Sequence, residues 1–220
     1  MAMPARAQDE PEYRMEIGAG AGLMNYLGDF NSSLTKCHQP MASLVARYKF
    51  NVRQCLQMNV SYGKMKGSSD GDATWYPATP SGEMPLSRLT DYRFDNSLVD
   101  IGLRYELNFW AYGTGQEYRG AKRLAPYIAF GLGATVCSGA GVTGNLPLAV
   151  GVKYKLKQRV NLGLEWAMHF TLSDELDGQK DPYGIRSSGL FKNTDCYSRL
   201  QLSVTYEFMA KCKTCHNNDE

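Results

Sequence analysis

The sequence has no long apolar run and little net charge, and these two absences exclude two classes of protein. Its longest apolar runs are much shorter than the roughly 18 to 20 residues that a membrane-spanning helix needs. The formal net charge over 220 residues is only +2, which argues against an extended basic surface for nucleic acid. The mean hydropathy of -0.39 is typical of soluble proteins, but it also suits a membrane β-barrel, because half of each barrel strand faces a polar interior.

The most informative pattern present is a two-residue alternation of apolar and polar side chains. It is clearest in residues 197–208, where one face carries Leu200, Leu202, Val204, Tyr206 and Phe208 and the other carries Arg199, Gln201, Ser203, Thr205 and Glu207. Successive strand residues point to opposite faces of a sheet, so this pattern predicts a strand that turns an apolar face to lipid. Seven earlier segments repeat it, and we predict eight strands at about 13–27, 42–52, 56–66, 97–109, 124–136, 146–156, 160–172 and 197–208.

The connections between these strands alternate in length. Long loops follow strands one, three and seven, and a shorter loop follows strand five, whereas short turns follow strands two and six. The exception to this parity of odd and even strands is the connection after strand four, at 110–123, which is longer than a tight turn. Bacterial barrels place long loops outside the cell and short turns in the periplasm, whereas a soluble β-sandwich gives no reason for such parity. We therefore predict an all-β fold, an eight-stranded antiparallel up-and-down transmembrane β-barrel of the cell outer membrane, with both termini in the periplasm.

The two ends of the chain lie outside the predicted barrel. Ala5-Arg6-Ala7 has the A-x-A form of a secretory cleavage site, which favours export, although an arbitrary flexible start has the same composition. We expect a signal remnant or flexible N-terminus at 1–12, the barrel at 13–208, and a periplasmic Cys-containing tail at 209–220.

Charged residues on the polar face of the predicted strands indicate the nature of the interior. Eight strands enclose a space that side chains just fill, and charges are tolerated there only when they are paired and hydrogen-bonded. We therefore expect a packed ionic lumen and no conducting pore. The predicted inward-facing residues are Arg14, Glu16, Arg47, Lys49, Asp100, Arg104, Glu106, Lys153, Glu165, His169, Arg199 and Glu207.

His169 is the one candidate for catalysis. Some outer-membrane enzymes that modify lipid are eight-stranded barrels with a Ser, a His and an acid on the barrel wall. Here the strand pattern turns His169 inward, and no serine accompanies it at the lipid surface. A polar histidine in a barrel lumen is more often a structural residue, so we expect no enzyme.

Six cysteines divide between the two predicted sides of the membrane. Cys37, Cys137 and Cys196 fall on the outer side, and Cys55, Cys212 and Cys215 fall on the periplasmic side. An odd number on each side leaves at least one cysteine without an internal partner, which indicates a free thiol or an intermolecular disulfide. Spacing alone does not decide which pairs form.

The tail segment Cys212-x-x-Cys215-His216 has the spacing of a c-type haem attachment site. A haem needs an apolar pocket, and this polar stretch at the end of a barrel supplies none. Zinc needs more ligands than two thiols and one imidazole, and a redox CxxC needs a thioredoxin-like fold. We therefore expect no cofactor or metal, and either a flexible tail, closed or not by a small disulfide, or a covalent link to a periplasmic partner.

Three features together carry a family resemblance: the entry Tyr13-Arg14-Met15-Glu16-Ile17, the phrase NYLGDFN at 25–31, and a Cys-bearing tail just after the last strand. In these the chain is similar to the PorG family, small outer-membrane barrels of Bacteroidota that belong to the type 9 secretion system. The resemblance implies a non-enzymatic membrane anchor for the periplasmic ring made by the lipoprotein PorK and its partner PorN.

The residues that such a ring would contact are those that the loop parity places in the periplasm. The candidates are Cys55, Trp110, Tyr112, Lys157, Arg159, Cys212 and Cys215. The alternative function is that of a small adhesin or receptor, which would act through the long loops at 67–96 and 173–196.

Overall fold

Eight antiparallel strands form one closed barrel in a computed structural model that describes residues 13–27, 38–68, 93–113, 121–138, 141–172 and 196–210. Each strand pairs with its neighbours in sequence, and β8 pairs with β1 to close the sheet. The prediction of an up-and-down eight-stranded barrel is confirmed. The strands are β1 Tyr13–Leu27, β2 Gln39–Lys49, β3 Gln54–Ser68, β4 Arg93–Asn108, β5 Leu124–Cys137, β6 Gly141–Lys155, β7 Val160–Thr171 and β8 Cys196–Ala210.

The closing seam between β1 and β8 is a full ladder that runs from Tyr13 opposite Ala210 to Leu27 opposite Cys196. Closure removes the unpaired strand edges that cannot exist in a lipid environment. We call the end of the barrel where β1 begins and β8 ends the turn end, and the opposite end the loop end. No helix among the described residues has the length and hydrophobicity to cross a membrane.

The outer wall carries a band of exposed apolar side chains. Leu44 is 63% exposed, Leu132 69% and Leu202 58%, although each lies within a paired strand. Such exposure is unfavourable in water at about 25 cal/mol per Å² and favourable in hydrocarbon. The band therefore identifies the outer surface as the lipid-facing one, which is the partition that the two-residue alternation predicts.

Several strand boundaries differ from the predicted ones, because polar residues at the ends continue the ladders. β3, β4 and β6 extend beyond the apolar alternation, and at the loop end the exposed Lys66 and Asp95 lie opposite each other and form an ion pair of 2.9 Å. At the turn end β2 ends earlier than expected, because the Asn51 side chain accepts hydrogen bonds from the backbone N–H groups of Arg53 and Gln54 and makes a tight turn. As a result Cys55 lies within β3 and not in the turn where the sequence placed it.

Small residues on the inner face mark where neighbouring strands approach closely. A Cβ atom on Gly131 of β5 would lie 2.0 Å from the carbonyl oxygen of Leu103 on β4. A Cβ on Gly102, an inward glycine of the adjacent strand, would meet nothing nearer than 3.8 Å. Of these two glycines, only Gly131 therefore requires the absence of a side chain.

We predict that Gly131→Ala lowers the free energy of unfolding by about 1 to 3 kcal/mol, because the backbone itself must move to admit the methyl group. The matched change Gly102→Ala should leave it unchanged or raise it by up to about 1 kcal/mol. Urea unfolding of the refolded barrels in lipid vesicles measures both values. Equal stability of the two variants would contradict the close approach of β4 and β5.

Candidate functional site: the lumen and the turn end

The inner face of the barrel is lined by ion pairs, as the sequence predicted. Of the twelve inward charged positions expected, ten are buried, and Lys49 is half-buried at the turn end. The prediction that Arg14 lies in the lumen is wrong. Its side chain is exposed, because it lies so close to the start of β1 that it is beyond the packed interior. Lys155 was missed, although it shares the inward parity of Lys153 two residues earlier on β6.

Near the turn end, three carboxylates each contact lysine or arginine side chains from other strands. Glu106 accepts a hydrogen bond from Arg47 Nε at 2.9 Å and forms a second ion pair with Lys153. Glu207 is bound by Lys49 Nζ at 2.5 Å and by Lys155 Nζ at 2.7 Å. Glu16, the third carboxylate, accepts hydrogen bonds of 2.7 Å from Asn161 and Thr205.

Glu165 is the hub of the middle of the lumen. Its Oε1 atom accepts hydrogen bonds from Arg104 Nη2 at 2.9 Å and from Arg199 Nη2 at 3.2 Å. Its other oxygen accepts one of 2.8 Å from the hydroxyl of Tyr127, whose ring lies over Gly151, where any Cβ would be 2.6 Å from the ring. The three partners come from β4, β5 and β8, so the carboxylate of β7 links strands across the barrel and along its wall.

Asp100 organises the lumen nearer the loop end. It accepts hydrogen bonds of 2.7 Å from the Tyr197 hydroxyl and from Asn145. His169 stacks on the Tyr197 ring with centroids 4.4 Å apart and has its Nδ1 atom 3.7 Å from Asp100. The inward orientation expected for His169 is confirmed, and the imidazole is only 1% exposed, so it does not reach the lipid surface.

An apolar layer lies beyond this cluster at the loop end. Its members face inward from six strands and are almost completely buried: Met24, Tyr26, Met41, Met65, Leu98, Cys137 and Tyr197. The sequence contained the signal for this layer, since apolar residues occupy the inward positions at the loop ends of these strands. Among the described residues, no group of three or more His, Cys, Asp or Glu side chains is arranged to hold a metal ion.

Tyr112 fills the barrel at the turn end, although the sequence made it a candidate surface residue. The start of the connection after β4, up to Gly113, folds back over the opening, and Tyr112 donates a hydrogen bond of 2.7 Å to Asn161 Oδ1. Three lysine Nζ atoms approach its ring face, those of Lys49 at 5.8 Å, Lys153 at 4.9 Å and Lys155 at 5.6 Å. Burial, together with the nearby carboxylates of the lumen, raises the pKa of the Tyr112 hydroxyl far above its ordinary range.

The other candidate contact residues are separated by the structure. Trp110, Lys157 and Arg159 are exposed at the turn end, whereas the thiol-bearing residue Cys55 is a free cysteine, 1% exposed, that faces the lumen beside Asn108. A buried thiol cannot meet a cysteine of another protein while the barrel is folded, which corrects the expectation of an accessible Cys55. Cys212 and Cys215 lie outside the described residues.

Arg159 is held against the outer wall of the barrel. Its guanidinium lies 4.7 Å from the centroid of the Tyr13 ring and donates hydrogen bonds to the hydroxyls of Tyr13 at 2.8 Å and Tyr206 at 3.1 Å. These hydrogen bonds, that to Tyr206 first, raise the pKa of Arg159 above its ordinary value. A guanidinium is protonated at any ordinary pH, so Arg159 carries a positive charge.

Comparison with known proteins gives a family and a fold. Residues 7–217 match the family described as Domain of unknown function (DUF6089), and no curated protein matches the chain. Neisserial surface protein A (NspA) is 16% identical with a TM-score of 0.50, over 88% of this chain and 97% of that one. The outer membrane protein OprG from Pseudomonas aeruginosa is 11% identical with a TM-score of 0.50, over 92% and 99%. At these identities the likeness establishes the barrel fold and nothing finer.

We predict that Glu165→Gln lowers the free energy of unfolding by about 3 to 5 kcal/mol, because it removes the carboxylate that the buried Arg104 and Arg199 share and leaves Arg199 with the longer ion pair of 3.9 Å to Asp100. The control is Asp95→Asn, which makes the same chemical change at an exposed ion pair and should cost at most about 1 kcal/mol. Urea unfolding in vesicles again measures both. If Glu165→Gln proves as mild as the control, Glu165 is not the hub of the interior.

We also predict that the folded barrel gives no stepwise current in a planar bilayer. The ion pairs, the Tyr112 ring and the apolar layer occupy the lumen at successive levels, so ions meet paired charges and apolar side chains. A water-filled porin measured under the same conditions is the positive control. Reproducible current steps from the refolded chain would disprove a filled lumen.

Proposed function

The chain belongs to the DUF6089 family. We propose that it is a structural component of the outer membrane that holds a periplasmic protein assembly at its turn end. The observation that carries the proposal is the filled lumen. A barrel whose interior charges are bound to one another from Glu207 to Asp100 offers no passage for a solute. The surfaces that remain for a function are the two ends of the barrel and its outer wall.

Backbone hydrogen bonds tie together the described parts of the turn end, as a docking platform needs. The backbone N–H of Tyr112 donates to Val52 O at 3.0 Å, which ties the start of the β4–β5 connection to the β2–β3 turn. The N–H of Lys155 donates to Arg123 O at 2.8 Å, which ties the end of the same connection to β6. Because these described residues are already fixed to one another, a partner that binds them loses little of their conformational entropy.

The finer form of the proposal follows the resemblance to the PorG family. In it the turn end faces the periplasm, and the partner is the ring of the lipoprotein PorK and PorN that serves type 9 secretion. Exposed Arg53, Arg123 and Lys157 surround the opening and supply the contact surface. The tail cysteines Cys212 and Cys215 are the candidates for a disulfide to the ring, and Cys55 is not.

Recovery of the ring on the tagged barrel tests the proposal. With Arg53→Glu and Lys157→Glu combined, co-purified PorK and PorN should fall about tenfold, because two favourable charges become repulsive at the rim of the contact. Lys64→Glu is the control, since this exposed lysine of β3 lies toward the loop end. Non-reducing gels of Cys212→Ser and Cys215→Ser should lose any band that contains PorK, whereas Cys55→Ser should keep it.

Two results would reject the proposal. The first is undiminished recovery of the ring with the reversed turn-end charges, and the second is its absence from the wild-type barrel. Shortening the connections at 69–92 and 173–195 separates the rival function. If these deletions abolish a cell-surface binding activity while secretion continues, the chain is an adhesin or receptor.

A further inference from the structure

The exposed charges that the structure describes at the turn end have one sign. Among the described residues there, the acidic side chains Glu16, Glu106 and Glu207 are all buried in the lumen and form ion pairs with lysine or arginine side chains. The exposed charged residues come from β1 and from the three connections at this end. They are Arg14, Arg53, Lys122, Arg123, Lys157 and Arg159.

Two of these cations are placed on aromatic rings. The Lys122 Nζ atom lies 4.3 Å from the centroid of the Trp110 ring. Arg159 lies over the Tyr13 ring and donates hydrogen bonds to the hydroxyls of Tyr13 and Tyr206. These bonds use two of the five N–H groups of its guanidinium. The described part of the chain gives neither Lys122 nor Arg159 a carboxylate partner, so both can receive an anion.

The aromatic rings that carry these cations border the lipid-facing band. Tyr206 is 47% exposed and directed outward, and Phe109, next to Trp110, is 54% exposed. Leu124 and Leu156, beside Lys122 and near Arg159 in the chain, are also exposed apolar residues. Aromatic residues of membrane proteins concentrate at the level of the lipid headgroups, and Lys and Arg extend their charged groups to that level.

We infer that Lys122 on the Trp110 ring and Arg159 on Tyr13 and Tyr206 form two separate sites, each of which binds the phosphate of one anionic phospholipid in the leaflet at the turn end. The strand order places the first site at β4 and β5 and the second at β8 and β1. At each site one oriented cation matches a phosphodiester, and the adjoining apolar wall matches the acyl chains. An acidic protein would meet the connections that point away from the membrane, whereas Arg159 lies against the outer wall and Lys122 lies on the Trp110 ring, next to the exposed Phe109. The binding of lipid therefore goes beyond the proposed docking of a ring, which uses Arg53, Arg123 and Lys157.

Native mass spectrometry of the refolded full chain in neutral detergent tests this inference, with phosphatidylglycerol as the probe and phosphatidylcholine, a zwitterion without net charge, as the reference. The wild type should bind phosphatidylglycerol preferentially and lose that preference in high salt. One basic residue near an anionic surface contributes about a fivefold gain in binding. Lys122→Gln and Arg159→Gln should therefore each weaken the Kd at their own site about fivefold, and the double variant should show both losses. Arg159→Lys should retain most of the affinity because it keeps the charge.

The control is Lys64→Gln, which removes an exposed cation of the outer wall toward the loop end and should change the Kd less than twofold. Glycerophosphate should not compete, because it lacks the acyl chains. Equal binding of the two lipids, or an unchanged Kd in the double variant, overturns the inference. So does a result in which polyglutamate, and not phosphatidylglycerol, depends on Lys122 and Arg159, since that would make the surface a site for acidic protein. No ring protein is present in this experiment, so its outcome is independent of the proposed anchor.

Discussion

Mutual neutralisation of charge inside a closed sheet is the constraint on which the rest of this molecule depends. The outer face of every strand must be apolar, so the polar half of the sequence is forced into a space about as wide as its own side chains. There a lone charge is far too costly, and each carboxylate is found with cationic partners from other strands. The pairing fixes the strands relative to one another. It also fills the interior, which argues against an open channel.

The same division between an apolar outer face and a polar inner face explains why the fold could be predicted from the sequence. Alternation at period two is a direct record of which side chains meet hydrocarbon, and a shift by one residue would turn Leu200 inward and Arg199 into lipid. Strand number, order and facing were therefore predictable. Boundaries were not, because beyond the lipid band polar residues such as Lys66 and Asp95 continue the ladder through backbone hydrogen bonds and their own ion pair, and their composition is that of a loop.

The turn end was predicted less well, for a different physical reason. Parity assigns a residue to one end of the barrel, but it does not say whether a connection stands away from the opening or folds into it. Tyr112 folds in, because a ring beside three lysines and a hydroxyl near Asn161 find better partners inside than in water. Cys55 is inside because the Asn51 turn ends one residue before β3 begins, a detail set by one side-chain amide. Lys157 and Trp110 remained outside, as expected for residues of connections.

The way in which Glu165 of β7 holds Arg104 of β4 has a consequence for biogenesis. These strands are not neighbours in the sheet, so their charges meet only after the sheet has curled. A flat or half-built sheet would expose the same charges to the acyl chains, where each would be strongly unfavourable. Strand pairing, curling and entry into the bilayer must therefore advance together, and a cell that makes this protein needs a route of insertion that shields the nascent interior until the last seam has formed.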